Sequence, residues 1–107
     1  MENETVSEWL GSKGLSNTDI DFIETILTFT STAIVLESKT EDINKKFQAT
    51  FPEKKAKIMP DLTYQQFEEI LQDNGLSVNL SELLKRFSSQ GICVELCEKL
   101  LRKQDDN

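Results

Sequence analysis

Histidine is missing from this 107-residue chain. Imidazole is the usual general acid or base near neutral pH and a common metal ligand. Its absence excludes His-dependent triads and His-containing zinc sites. Cysteine occurs twice, at Cys93 and Cys97, too rarely for a secreted disulfide scaffold. The four glycines stand singly, so there is no Gly-rich loop to cradle a phosphate. No long apolar run occurs either. The nearest candidate, Thr25 to Leu36, is broken by five hydroxyl residues and falls short of the ~18 apolar residues of a membrane span. Positive charge is also scarce. Twelve Lys and Arg face nineteen Asp and Glu, a net charge of −7, which disfavours binding to a phosphate backbone. The first residues, Met-Glu-Asn-Glu-Thr, are acidic. A signal peptide would open on a basic patch, so a cytoplasmic or nuclear location is expected.

What is present suits a folded domain. Apolar residues make up 37% and charged residues 29% of the chain, a globular balance. The length predicts a single domain over 1–107, with 102–107 as a frayed tail. The charge is unevenly spread. Residues 1–42 carry nine acids against two lysines, and 61–107 carry nine acids against five bases. Between them, 43–60 carries Lys45, Lys46, Lys54, Lys55 and Lys57 against one acid, Glu53. These five lysines are the candidate partner-binding residues, complementary to an acidic surface.

Helix boundaries are well marked. In Leu62-Thr-Tyr-Gln-Gln-Phe67, Thr63 caps a helix, Gln66 at the third position completes a capping box, and Leu62 with Phe67 forms a hydrophobic staple. That helix runs over 63–74 and ends at Gly75, with Leu76 placed to touch Leu71. Asn79, Glu82, Val78 and Leu83 repeat the start sixteen residues later, and Gly91 with Ile92 and Phe87 repeats the end. Near the start, Gly14 ends one helix and Ser16 with Asp19 opens the next. Further helices are predicted over 4–12, 40–50, 52–58 and 92–104, the last with Cys93, Leu96, Cys97, Leu100 and Leu101 on one face.

The segment Thr25–Leu36 carries two signals. It is rich in β-branched residues and alternates like a strand. It also continues a helical face from Ile20 through Ile23 to Ile34. No other segment offers a strand partner, and an isolated strand leaves its backbone groups unpaired. One helix over 17–37 is therefore expected, central in the bundle, with a strand paired across a dimer as the alternative. The predicted core includes Trp9, Leu10, Ile23, Leu27, Ile34, Ile43, Phe47, Phe67, Ile70, Leu71, Leu83, Leu84, Phe87, Leu96, Cys97, Leu100 and Leu101.

Motifs that carry chemistry fail on their own spacing. An EF-hand ending at Gln66 would put Lys55 and Lys57 where calcium needs oxygen ligands. Glu68-Glu69 and Asp105-Asp106 are neighbours, and neighbours on a helix point apart, so neither pair converges as acid and base. A helix-turn-helix over 64–89 has suitable lengths, but its second helix would show DNA Ser81, Glu82, Lys85 and Arg86, a partly acidic face. The two cysteines do not fill a tetrahedral metal site. At i, i+4 on a helix they stand too far apart for an unstrained disulfide, so they read as small apolar core residues.

The expected object is an all-α, compact bundle of five to seven short helices with no catalytic residues, no metal and no cofactor. The expected function is a non-catalytic protein–protein interaction module (adaptor, assembly subunit or small inhibitor) acting through charged helical surfaces. Two alternatives are a nucleic-acid-associated regulator and a death-fold-like self-assembly domain. The second would join acidic 19–24 to basic 45–57 between copies. The expected partner is another protein, with a homo-oligomer as a variant and no membrane.

Overall fold

The computed structural model describes residues 4–105. The described residues form six α-helices and no strand: α1 Val6–Ser12, α2 Asn17–Val35, α3 Thr40–Thr50, α4 Tyr64–Asp73, α5 Leu80–Ser89 and α6 Val94–Asp105. A 3-10 turn, Glu37–Lys39, links α2 to α3. The all-α compact bundle expected from the sequence is what forms.

The helix starts follow from short polar side chains. The Ser16 hydroxyl accepts the Asp19 N–H at 3.1 Å, and the Asp19 carboxylate accepts the Ser16 N–H at 3.4 Å. Thr63 and Gln66 make the same reciprocal pair, at 3.1 and 3.0 Å. A third capping box, Thr5 with Glu8, sets the start of α1 at Val6 rather than at residue 4. Each satisfies two backbone donors that a helix start leaves without partners.

The helix ends are equally regular. Leu76 N–H reaches back to Leu71 C=O at 2.9 Å and Gly75 N–H to Gln72 C=O at 3.1 Å, the paired bonds of a Schellman ending. Gly75 carries the positive φ of +71° that this closure requires. Ile92 closes on Phe87 at 2.9 Å in the same way, and Leu15 closes on Leu10 at 3.3 Å.

The ambiguous segment folds as helix. Its threonines adapt to the helix by bonding back along it: Thr28 donates to Thr25 C=O at 3.3 Å and Thr32 to Thr28 C=O at 3.0 Å. One side of α2 is buried through Ile20, Phe22, Ile23, Ile26, Leu27, Thr30 and Ala33. Phe22 stacks on Phe47 of α3 at 5.8 Å and meets Phe51 edge-on at 5.6 Å, while Phe29 meets Phe47 at 6.0 Å. This aromatic cluster fastens α2, α3 and the following segment together.

Four expectations need correction. The helix predicted at 52–58 does not form. Pro52 instead sits in a tight turn closed by Lys54 N–H to Phe51 C=O at 3.1 Å, and 55–59 run on without helical hydrogen bonds. The last helix starts at Val94, not at 92. Cys93 stands before it with a left-handed φ of +49°, and its carbonyl accepts the Cys97 N–H at 2.9 Å. Ile34, expected in the core, is 41% exposed; it continues the face of Ile23, Leu27 and Thr30 past the last element that covers that face. Helix α2 is not the hub of the bundle. Its close neighbours are α1, α3 and the 3-10 turn, whereas α4 and α5 pack on α6, because α2 keeps a polar side with exposed Thr28 and Thr32. Helix α6 runs through Asp105, and the last two residues of the tail expected at 102–107 lie outside the described ones. Several buried residues were not predicted, among them Val6, Phe22, Ile26, Phe51, Ile58, Leu62 and Leu80.

Candidate functional site

The lysine-rich segment is a firmly held strap. From Phe51 to Leu62 the chain crosses from α3 to α4, with turns at 52–54 and 60–61 and a stretch over 55–59 between them that forms no helix or turn; Phe51, Ile58 and Leu62 are buried. Two asparagine side chains clasp it. Asn44 Oδ1 accepts the Ile58 N–H at 2.7 Å, and its Nδ2 donates to Ile58 C=O at 2.9 Å. Asn74 treats Lys55 identically, at 2.8 and 2.9 Å. In both, Nδ2 also donates to the carbonyl four residues back, of Thr40 at 3.1 Å and of Ile70 at 2.7 Å. A side-chain amide has the donor and acceptor geometry of a peptide group. Each asparagine thus supplies the pairing a neighbouring strand would otherwise give. Gln90 holds the N-terminal segment similarly, accepting the Val6 N–H at 3.2 Å and donating to Glu4 C=O at 2.8 Å.

This strap distributes the five candidate lysines. Exposure alternates along it: Lys55 and Lys57 are exposed, Ala56 half-buried and Ile58 buried. Lys55 and Lys57 therefore share the outer side, as extended geometry dictates. Lys54 turns inward. Its ammonium is paired with the Asp19 carboxylate at the start of α2 and lies 5.5 Å from the Phe22 ring centre. The hydrogen bond from Lys54 lowers the Asp19 pKa, against the raising effect of burial. On α3, successive residues turn by about 100°. Asn44 faces the strap and Lys46 lines a cleft with α2, so Lys45 lies between those directions and is exposed. The five lysines do not converge on one point. Lys54 is held within the fold, and the other four present separate charges. Among the described residues, Lys45, Lys46, Lys55 and Lys57 form no ion pair.

The surface feature that the sequence did not disclose lies at the end of α2. Val35 is 79% and Leu36 49% exposed, beside the half-uncovered Ile34. Next to them, α2 and α3 bound a cleft of about 260 Å³ lined by Phe29, Thr32, Ile43 and Lys46. The spacing i, i+3 on both helices sets the two walls side by side. The apolar run is visible in the sequence; that nothing covers it is not, because the same letters would suit a core.

Two other depressions are more polar. One, about 370 Å³, surrounds the Asp19–Lys54 pair and is lined by Ser16, Thr18 and Thr50 among others; the second, about 330 Å³, lies beside Gly75. No group of three or more Cys, Asp or Glu suited to a metal ion occurs among the described residues. No described helix is long and apolar enough to cross a membrane. Cys97 is fully buried, and burial foremost, with smaller effects from Cys93 and Glu98, pushes its thiol pKa up to about 12.

Of the supposed DNA-reading face, Ser81, Glu82 and Arg86 are engaged within the fold, whereas Lys85 is exposed. Ser81 and Tyr64 share a hydroxyl hydrogen bond of 2.7 Å. Arg86 lies 4.5 Å over the Trp9 ring, donates to Glu82 at 2.8 Å and pairs with Glu4 at 3.6 Å. Trp9, 7% exposed, packs in the core beneath it.

No family model, curated protein or solved structure matches this chain.

Proposed function

We propose that this domain is a non-catalytic protein-interaction module whose contact surface is the end of α2 with the adjoining face of α3. The observation that carries this reading is the exposed run Ile34-Val35-Leu36, where the other large apolar side chains among the described residues are buried or half-buried. Contiguous uncovered apolar surface beside polar residues is the usual mark of a protein contact. The neighbouring Lys39, Lys45 and Lys46, exposed and without ion pairs among the described residues, supply the charge that would orient a partner.

The charges first assigned to self-assembly support it less. Asp19 and Lys54 neutralise each other within one molecule, and at a net charge of −7 two copies repel.

The test is capture from cells of the native host with the immobilised chain and with a Val35→Glu, Leu36→Glu double variant. Both positions are exposed, so the variant keeps its fold, checked by circular dichroism. A defined protein retained by the parent chain and lost by the variant is expected. Equal retention by both, or none by either, overturns the reading.

A further inference from the structure

We propose that the α2–α3 cleft is the docking groove for one amphipathic helix of another protein, bearing a large apolar anchor and a neighbouring carboxylate. This deepens the interaction reading and rests on it. Three features specify the occupant.

The first is size. The cleft holds about 260 Å³, below the ~300–1,000 Å³ of small-molecule sites. It has room for one side chain of the size of leucine or phenylalanine, the kind of anchor that dominates helix-in-groove contacts.

The second is shape. Phe29 and Thr32 come from one helix and Ile43 and Lys46 from the other, each pair at i, i+3. The walls are two neighbouring helices joined by a short turn, and the natural complement of such a groove is a third helix laid along it. Leu36, which follows α2, and Lys39, the last residue of the 3-10 turn, lie in the connection between the two walls.

The third is charge. The charged residue in the lining is Lys46; Lys39 ends the 3-10 turn just before α3, and Asp42, one turn before Lys46, is exposed and forms no ion pair with it. Neither lysine has an ion-pair partner among the described residues. A helix that buries its anchor between Phe29 and Ile43 places its flanking residue against Lys46, and a carboxylate there gains an ion pair at a partly desolvated rim. A second copy of this chain fits worse. Each copy carries a net charge of −7, so two copies repel.

The experiment uses two designed helical peptides with the same leucine stripe, one flanked by glutamates and one by lysines. Each is titrated into the ¹⁵N-labelled chain. The glutamate peptide is expected to shift the amides of Phe29, Thr32, Ile43 and Lys46, and to bind more weakly as salt rises. Lys46→Glu is expected to cost roughly tenfold in its affinity and to turn the preference toward the lysine peptide, as reversal of one rim charge implies. Thr32→Glu, at an exposed position, is expected to block both peptides. Shifts elsewhere, equal binding of both peptides, or no binding overturns the groove. Concentration-dependent shifts of the same amides without peptide also overturn it, in favour of a second copy. If the groove fails while capture in cells still depends on Val35 and Leu36, the interaction reading stands and only its helical mode falls.

Discussion

A thiol with no water around it holds its proton, because the thiolate has nothing to solvate its charge. Cys97 is in that position, and Cys93 is not: it is half-buried and lies in the turn before α6. The two cysteines should therefore separate chemically. In the native protein, maleimide is expected to label Cys93 first and Cys97 only on unfolding, read by mass spectrometry of peptides. Raising the folded pKa of Cys97 from 9.0 to about 12 also sets a pH dependence. Above about pH 9 the unfolded thiol loses its proton while the folded one keeps it. Stability then falls as pH rises, by up to about 1.4 kcal/mol per pH unit. Urea unfolding between pH 8 and 10 is expected to show this slope, and Cys97→Val to lack it. Thr30 carries the complementary lesson. It is fully buried, and its hydroxyl has no hydrogen-bond partner. Thr30→Val keeps the shape and removes the orphaned group, so it should stabilise the fold by about 1 kcal/mol in denaturant titration. A destabilised variant would reveal a hidden partner for that hydroxyl.

Among the elements, the strap between α3 and α4 shows how side chains can replace secondary structure. Its lysines are close in sequence, and helical spacing of like charges at 54 and 57 would set them near each other. The extended path puts Lys55 and Lys57 outward and lets Lys54 reach Asp19. Asn44 and Asn74 make that path affordable in hydrogen bonds, three apiece. Asn44→Ala and Asn74→Ala should each cost about 2 kcal/mol, since backbone groups of the strap lose their partners. The distinguishing readout is hydrogen exchange. The Ile58 amide should lose protection in the Asn44 variant and the Lys55 amide in the Asn74 variant, with α5 and α6 unchanged. Uniform loss across all helices would mean that the clasps support the whole core rather than the strap. Both asparagines stand in the sequence without any signal of this role. Their partners lie 14 and 19 residues away, beyond the reach of any local pattern.

At the scale of the whole molecule, one apolar stripe runs the length of α2 and off the end of its cover. Leu27 and Ile34 lie on it two turns apart, with 0% and 41% exposure. Leu27→Ala should cost roughly 2–5 kcal/mol, whereas Ile34→Glu should change stability by less than about 1 kcal/mol. Equal costs in thermal unfolding would show that the end of α2 is covered in solution. The contact between the start of α2 and the strap adds an acid dependence. Lys54 holds the Asp19 carboxylate below its ordinary value of 3.8. Its contribution is present above about pH 4, where the unfolded carboxylate is ionised, and is lost as pH falls through the lower folded value. Asp19→Asn should remove that portion of the acid sensitivity, measured as melting temperature against pH.

The sequence by itself determined the boundaries of α4 and α5 and the start of α2, because caps, staples and glycine endings act within about six residues and are written in consecutive letters; the uncapped 52–58 did not become a helix. Thr63 with Gln66, Asn79 with Glu82, and Gly75 with Leu76 each needed only its neighbours. It also determined most of the core, through stripes such as Leu96, Cys97 and Leu100. The tertiary structure alone decided which apolar residues find cover. Ile34 and Ile23 follow the same helical rule, but burial depends on a second element arriving on that face, and none arrives at Ile34. It decided likewise that Lys54 folds in toward Asp19 while Lys46 turns to the α2 cleft, since a side chain's environment is set by what other parts of the chain bring to it.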